Sequence, residues 1–159
     1  MNTITTAAGT AALTATEPLP ANADDLRVVE ALYSQVLSGT ASGDLATHLA
    51  QVLSDDWQSF GDGSGRVKTR DEFLAQLEDI GRVAPDLTWE VEEMLQLNNR
   101  VVVRGRARAT PVGPFLGVAP SGRSFEIMAI DIHTVERGRI VRSYHVEDWQ
   151  GAVQQLQAV

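Results

Sequence analysis

Four side chains in the last third of the chain have the chemistry to move protons: Asp131, His133, His145 and Asp148. Asp131 lies in the run Met128-Ala129-Ile130-Asp131-Ile132-His133, where an ionisable group is costly to bury unless it is paired or neutral. Histidine titrates near neutrality, so His133 and His145 are proton carriers by residue type, although a strand histidine is as readily a satisfied core or surface residue. Asp148 stands four residues after Tyr144, so on a regular strand both side chains leave by one face. It also directly precedes a helix expected to start at Trp149, where an aspartate serves as an N-cap. A carboxyl group held in an apolar pocket has its charged form destabilised, which raises its pKa toward the range useful for acid–base catalysis.

Whether these groups converge depends on the hairpin Glu136-Arg137-Gly138-Arg139. A two-residue turn sets Val135 opposite Ile140 and Asp131 beside Tyr144; a three-residue loop with a glycine bulge sets Val135 opposite Arg139 and reverses the relation. Trp57, Phe60, Phe115 and Tyr144 are candidate walls for an aromatic ligand, with His145 alongside, and Phe115 sits on a Gly- and Pro-rich loop where a lid is expected. The histidines show no H-x3-H or H-E-x-x-H spacing, so no metal site is expected. Gly61-Asp62-Gly63-Ser64-Gly65 lacks the lysine of a phosphate loop and the strand–elbow–helix setting of a serine hydrolase, and reads as a turn.

The elements that must position these groups fall into two halves. Leu26, Val29, Leu32, Tyr33 and Val36 recur at helical spacing after Asp24-Asp25, and Gly39 to Gly43 ends that helix. Asp44 is expected to cap a second, short helix, and Thr69-Arg70-Asp71-Glu72 is a capping box for a third that Gly81 should end. Trp57 to Phe60 reads as a short extended piece. Beyond it, four stretches alternate with a period of two: Leu87 to Val91, Arg100 to Thr110, Phe125 to Val135 and Arg139 to Trp149. Helices followed by antiparallel strands predict an α+β domain with helices on one face of a curved sheet. Residues 1–23, rich in Thr and Ala, are expected to be a disordered leader, with one domain over 24–159.

Several short segments carry a family resemblance. Gly113-Pro114-Phe115-Leu116-Gly117-Val118-Ala119-Pro120-Ser121-Gly122 resembles the G-x-F-x-G-x-x-P-[TS]-G loop of the SnoaL-like polyketide (ester) cyclases. Pro85-Asp86-Leu87, Ile130-Asp131-Ile132, Gly138-Arg139-Ile140-Val141, Tyr144-x-x-x-Asp148 and Gln155-Leu156 follow in that family's order, so the resemblance spans residues 27–156. It implies the nuclear transport factor 2-like cone, in which three N-terminal helices close a bent sheet over an apolar pocket. It also implies a metal- and cofactor-free aldol-type ring closure of a small apolar or aromatic polyketide-like ligand, with Asp148 as general acid and base, and a homodimer. The chain departs from the pattern at Tyr144, often Trp, and at Gln58 and Ser59, where His or Asn is common. Because one fold hosts many functions, an isomerase, an epoxide hydrolase built on Asp131, Arg142 and Asp148, and a non-catalytic binding domain remain alternatives.

The totals narrow the field further. With 159 residues and 43% apolar content the chain can fill one core. A net charge of −8 with 13 scattered basic residues argues against a nucleic-acid partner, and no apolar stretch suits a membrane span. The absence of cysteine rules out thiol chemistry and fits a cytoplasmic location.

Overall fold

The computed structural model describes residues 22–61 and 65–158. The leader expected over 1–23 lies outside the described residues except for Asn22 and Ala23. These two belong to the first helix: Asn22 accepts the Asp24 N–H as N-cap and Ala23 opens α1 (Ala23–Ala31). The glycine-rich turn at 61–65 likewise falls mostly outside them. Helix α1 runs on without a break into a π-helical segment, Leu32–Leu37. Wide turns of that kind recur at functional sites, and this one carries Tyr33.

Helix α2 (Leu45–Val52) follows, but the Asp44 side chain makes no capping bond to it. Helix α3 (Arg70–Val83) starts on the expected capping box, with the Glu72 N–H donated to Thr69 and the Thr69 N–H donated to Glu72. It runs past Gly81 rather than ending there. Gly81 is a contact glycine: a Cβ on it would stand 2.2 Å from the carbonyl oxygen of Thr40. Its bareness lets the helix lie against the loop between the π-helical segment and α2.

Six strands form one sheet in the order β2-β1-β6-β5-β4-β3, comprising β1 (Leu53–Phe60), β2 (Lys68–Thr69), β3 (Thr88–Leu97), β4 (Arg100–Ala109), β5 (Phe125–Glu136) and β6 (Arg139–Glu147). The C-terminal helix α4 (Trp149–Gln157) packs back on β5. The extended piece at Trp57 is thus a full strand, and it pairs parallel to β6. Alternation sorts β5 cleanly: Phe125, Ile127, Ala129, Asp131, His133 and Val135 are buried on the concave face, whereas Met128, Ile130 and Ile132 are exposed on the other. Helices α1, α2 and α3 cover the concave face, where Val29, Tyr33, Leu49, Leu53, Val101 and Ile140 form the main core. A second apolar cluster around Phe115, Phe125, Ala152 and Leu156 closes the other end.

The turn between β5 and β6 has two residues, Arg137 and Gly138, both at positive φ as its geometry requires. Val135 accordingly faces Ile140. One residue further along, the register slips. Thr134 pairs with Arg142, leaving Val141 as an extra residue in β6. Beyond this bulge Asp131 faces His145 and His133 faces Ser143, while Tyr144 joins Ile132. The short turn is present, yet the bulge gives β6 the facing pattern expected of the longer loop.

Candidate active site

The concave face gathers Asp131 and His133 from β5, Ser143, His145 and Glu147 from β6, Trp57 and Ser59 from β1, and Tyr33 from the π-helical segment. Their polar atoms form a chain with one consistent direction. The Trp57 Nε1–H donates to Ser143 Oγ at 3.1 Å, and Ser143 Oγ lies 2.9 Å from His133 Nδ1. His133 Nε2 is 2.9 Å from Tyr33 Oη, which donates to Asp131 Oδ2 at 2.6 Å. An indole N–H can only donate, and the tyrosine proton is committed to the carboxylate. The serine hydroxyl therefore gives its proton to Nδ1, and His133 carries its own on Nε2. Every member is satisfied, and the chain ends on Asp131.

Burial sets the protonation states. Asp131 is 6% exposed, and burial pushes its carboxyl up to about 7, opposed by the Tyr33 hydrogen bond and reinforced by nearby Glu147. His133 is 2% exposed; burial, with the neighbouring His145 charge, holds it down at about 3, so it is a neutral imidazole. Burial, then Asp131, drives the Tyr33 hydroxyl upward, which keeps it a proton donor throughout the physiological range. His145 moves the opposite way from His133: its Nδ1 lies 2.9 Å from the Glu147 carboxylate, and that hydrogen bond raises it against the effect of burial. One acid poised near neutrality thus stands beside a histidine that is readily charged.

These groups line an inner cavity of about 50 Å³, room for a carbonyl or methyl group rather than a ring system. Ser59, His145 and Glu147 also line an outer cleft of about 420 Å³ that continues past Lys68, Gln76 and Trp149. The Gly61 backbone closes on the His145 ring at this junction, so close that a Cβ there would meet Nε2 at 2.4 Å. Cleft and cavity share Ser59, His145 and Glu147 as lining.

The structure brings Asp131, His133, His145 and Trp57 together and separates the rest of the expected set. Asp148 is exposed and accepts the Gly151 N–H at 2.9 Å as N-cap of α4. It stands just beyond the end of β6, and Tyr144, four residues earlier, is on the outer face and 37% exposed. Phe60 is turned outward as well and stacks on Tyr144 with centroids 5.0 Å apart. Phe115 is not a lid. It is buried against Phe125, 5.4 Å away, and Trp149 in the second core. Arg142 lies over Phe60, on the side away from the cavity, so the Asp131–Arg142–Asp148 set of an epoxide hydrolase is not assembled.

Sequence reasoning missed Tyr33, Ser143 and Glu147. Tyr33 was legible only as an apolar period position, although a buried tyrosine usually finds a partner for its hydroxyl. Linear spacing also missed a possible ion-holding set: Asp131, His145 and Glu147 place one ligand-type atom each within 4.8 Å of one another. The His145–Glu147 hydrogen bond occupies two members of that set.

A bent sheet closed by helices over a cavity with a buried acid is the nuclear transport factor 2-like cone. The sequence model of the SnoaL-like polyketide cyclases matches residues 27–156, and the chain belongs to that family. No curated protein sequence matches it. Among solved structures it is similar to IdmH, a proposed polyketide cyclase of Streptomyces antibioticus, at 27% identity over 83% of this chain and 97% of that one, with a TM-score of 0.73. A proposed SnoaL-like polyketide cyclase of Jannaschia sp. CCS1 superposes with a TM-score of 0.76 at 19% identity, covering 91% and 99% of the two chains. An LEH-like epoxide hydrolase of M. tuberculosis shares the fold at a TM-score of 0.63 and 15% identity, over 84% and 89%. Among the described residues no helix is long and apolar enough to cross a membrane.

Proposed function

We propose that the protein is a cofactor- and metal-independent cyclase that closes a ring within a small poly-β-ketone or its ester by an aldol step, with Asp131 as the proton shuttle. The observation that carries this reading is the burial of Asp131 at the end of the Trp57–Ser143–His133–Tyr33 chain, with a pKa of about 7. A base is most effective when its pKa lies near the working pH. The ionised carboxylate removes a proton from the carbon between two carbonyl groups. The resulting enolate carbon attacks a second carbonyl of the same molecule, one C–C bond forms, and the new alkoxide takes back a proton from Asp131 or from the His145 imidazolium. The sum is an isomerisation in which a C–H and a C=O become a C–C and an O–H, so no oxidant, water or metal is consumed. His133, held neutral, orients Tyr33 and through it the acid.

The test is ring closure of a linear aryl poly-β-keto methyl ester, followed by chromatography and mass spectrometry in ¹⁸O-labelled water with chelator present. The expected product is an isomer of unchanged mass, or its dehydration product, carrying no solvent oxygen in the new hydroxyl group and formed equally fast with chelator. Incorporation of one labelled oxygen with a mass gain of one water points to hydrolysis and ends the proposal, as does loss of turnover on chelation.

The same reading includes a homodimer. Met128, Ile130 and Ile132 of β5 and Tyr144 and Val146 of β6 form an exposed apolar face, Val146 being 73% exposed. It is flanked by linked charges of both signs, Arg104 with Glu92 and Glu93 and Arg106 with Glu126, which a second copy of the face can complement. Sedimentation equilibrium is expected to give twice the chain mass, and V146E to return it to one; a monomer at all accessible concentrations refutes the pairing.

A further inference from the structure

One residue of the cavity wall carries a buried polar atom without a partner among the described residues. Trp89 of β3 lines the inner cavity together with Tyr33, Asp131 and His133, its ring edge-on to Tyr33 with centroids 6.2 Å apart. Its backbone is pinned to the helical layer, the N–H donating to Ser38 Oγ at 2.8 Å. Its indole Nε1–H is enclosed and has no acceptor among the described residues. The contrast with Trp57 is direct, since that indole donates to Ser143. A buried donor left without an acceptor costs about 1–3 kcal/mol, so such groups are rare where nothing visits them.

We propose that Trp89 is a ligand-binding residue whose indole N–H donates to a carbonyl or enolate oxygen of the molecule in the inner cavity. This rests on the cyclase reading and sharpens it: the guest must present an oxygen acceptor toward β3 while its acidic C–H faces Asp131. A donor fixed in place before the reaction stabilises negative charge that develops on that oxygen, at no cost of reorganisation. The size of the cavity fits the assignment, because about 50 Å³ admits one ketone group and leaves the remainder of the ligand in the cleft. Trp89 also borders a shallow recess with Arg106 and Arg108. Thr88 and Glu90 line that recess as well, yet the enclosed Nε1–H reaches neither of these acceptors.

The experiment uses 2-acetylnaphthalene as probe and 2-isopropenylnaphthalene, of the same shape without the oxygen, as control. The three tryptophans give three indole signals in a ¹H–¹⁵N spectrum, and W89F identifies one of them by its loss. The ketone is expected to move the Trp89 indole proton downfield and to bind W89F about tenfold more weakly, as for one neutral hydrogen bond. The hydrocarbon should bind both forms alike and leave that signal in place. If the ketone moves the Trp57 and Trp149 signals, leaves Trp89 unmoved and binds W89F unchanged, the donor assignment falls while the cyclase reading stands. If neither probe moves any indole signal, the carbonyl-binding cavity falls and the donor assignment with it. Should W89F fail to fold, W57F and W149F assign the Trp89 signal by elimination, and its response in the unmodified protein decides.

Discussion

Replacing Asp131 by Asn is expected to lower turnover by about 10³-fold while leaving the domain folded, because a positioned general base contributes roughly 10²–10⁴. Asparagine has the shape of the protonated acid and can still accept the Tyr33 hydroxyl, so the hydrogen-bond chain keeps its terminus. The control is Asp148→Ala, which removes an exposed helix cap at a cost of about 1 kcal/mol and is expected to leave kcat unchanged. Steady-state kinetics on both variants check the pair. Near-normal turnover in D131N, or its collapse in D148A, assigns the chemistry elsewhere.

The same substitution has a stability signature with a definite sign. Asp131 has a folded pKa of about 7, raised above its unfolded value, so its contribution is present below about pH 4 and is lost as pH rises through 7. His133 has a folded pKa of about 3, depressed below its unfolded value, so its contribution is present above about pH 6.5 and is lost as pH falls toward 3. Between about pH 4 and 6.5 the folded pair holds its proton on the aspartate and the unfolded pair on the histidine. The counts are equal and the two slopes cancel. D131N removes one slope only, and its stability is then expected to fall by roughly 3 kcal/mol between pH 6.5 and pH 4 relative to the unmodified protein, read from denaturant midpoints. Parallel pH profiles for the two proteins contradict the raised Asp131 pKa.

Tyr33→Phe should be the second most damaging change. It deletes one oxygen and leaves both the Asp131 carboxyl and the His133 Nε2–H without their buried partner, which costs about 1–3 kcal/mol of stability. The Tyr33 hydrogen bond acts to lower the Asp131 pKa, so its loss moves that pKa further upward. In the unmodified protein kcat is expected to rise with pH through about 7, as the base ionises. In Y33F that limb should shift to higher pH, with much of the lost rate recovered under alkaline conditions. A profile reduced uniformly at all pH values would mean that the hydroxyl acts on the substrate and not through the acid.

The order of elements, the capping box at Thr69 and the alternation of β5 were legible because each depends on local chemistry. Asp131 was legible too, as a carboxylate in an otherwise apolar row. The partners of that row were not, since they depend on pairing between distant strands. The Val141 bulge decides which residues of β6 face the cavity, and nothing in Arg139-Ile140-Val141-Arg142 announces it. Tyr144 drew Asp148 into the reading by strand parity; the bulge turned that parity outward and brought Glu147 in. Ser59 and Trp57 reach the site through a parallel β1–β6 pairing joined across the length of α3 and four further strands, a connection no window of the sequence spans.

The extra residue in β6 also ties two surfaces to a single position. Deleting Val141 would rotate everything beyond it by half a strand repeat, sending Ser143, His145 and Glu147 into solvent and Tyr144 and Val146 into the helical layer. The polar row of the cavity and the greasy exterior are therefore not independent traits of this chain. A lineage that lost one codon there would forfeit both together, whereas length changes in the hairpin tip, ahead of the kink, stand to alter the phase of the strand in the same all-or-none way.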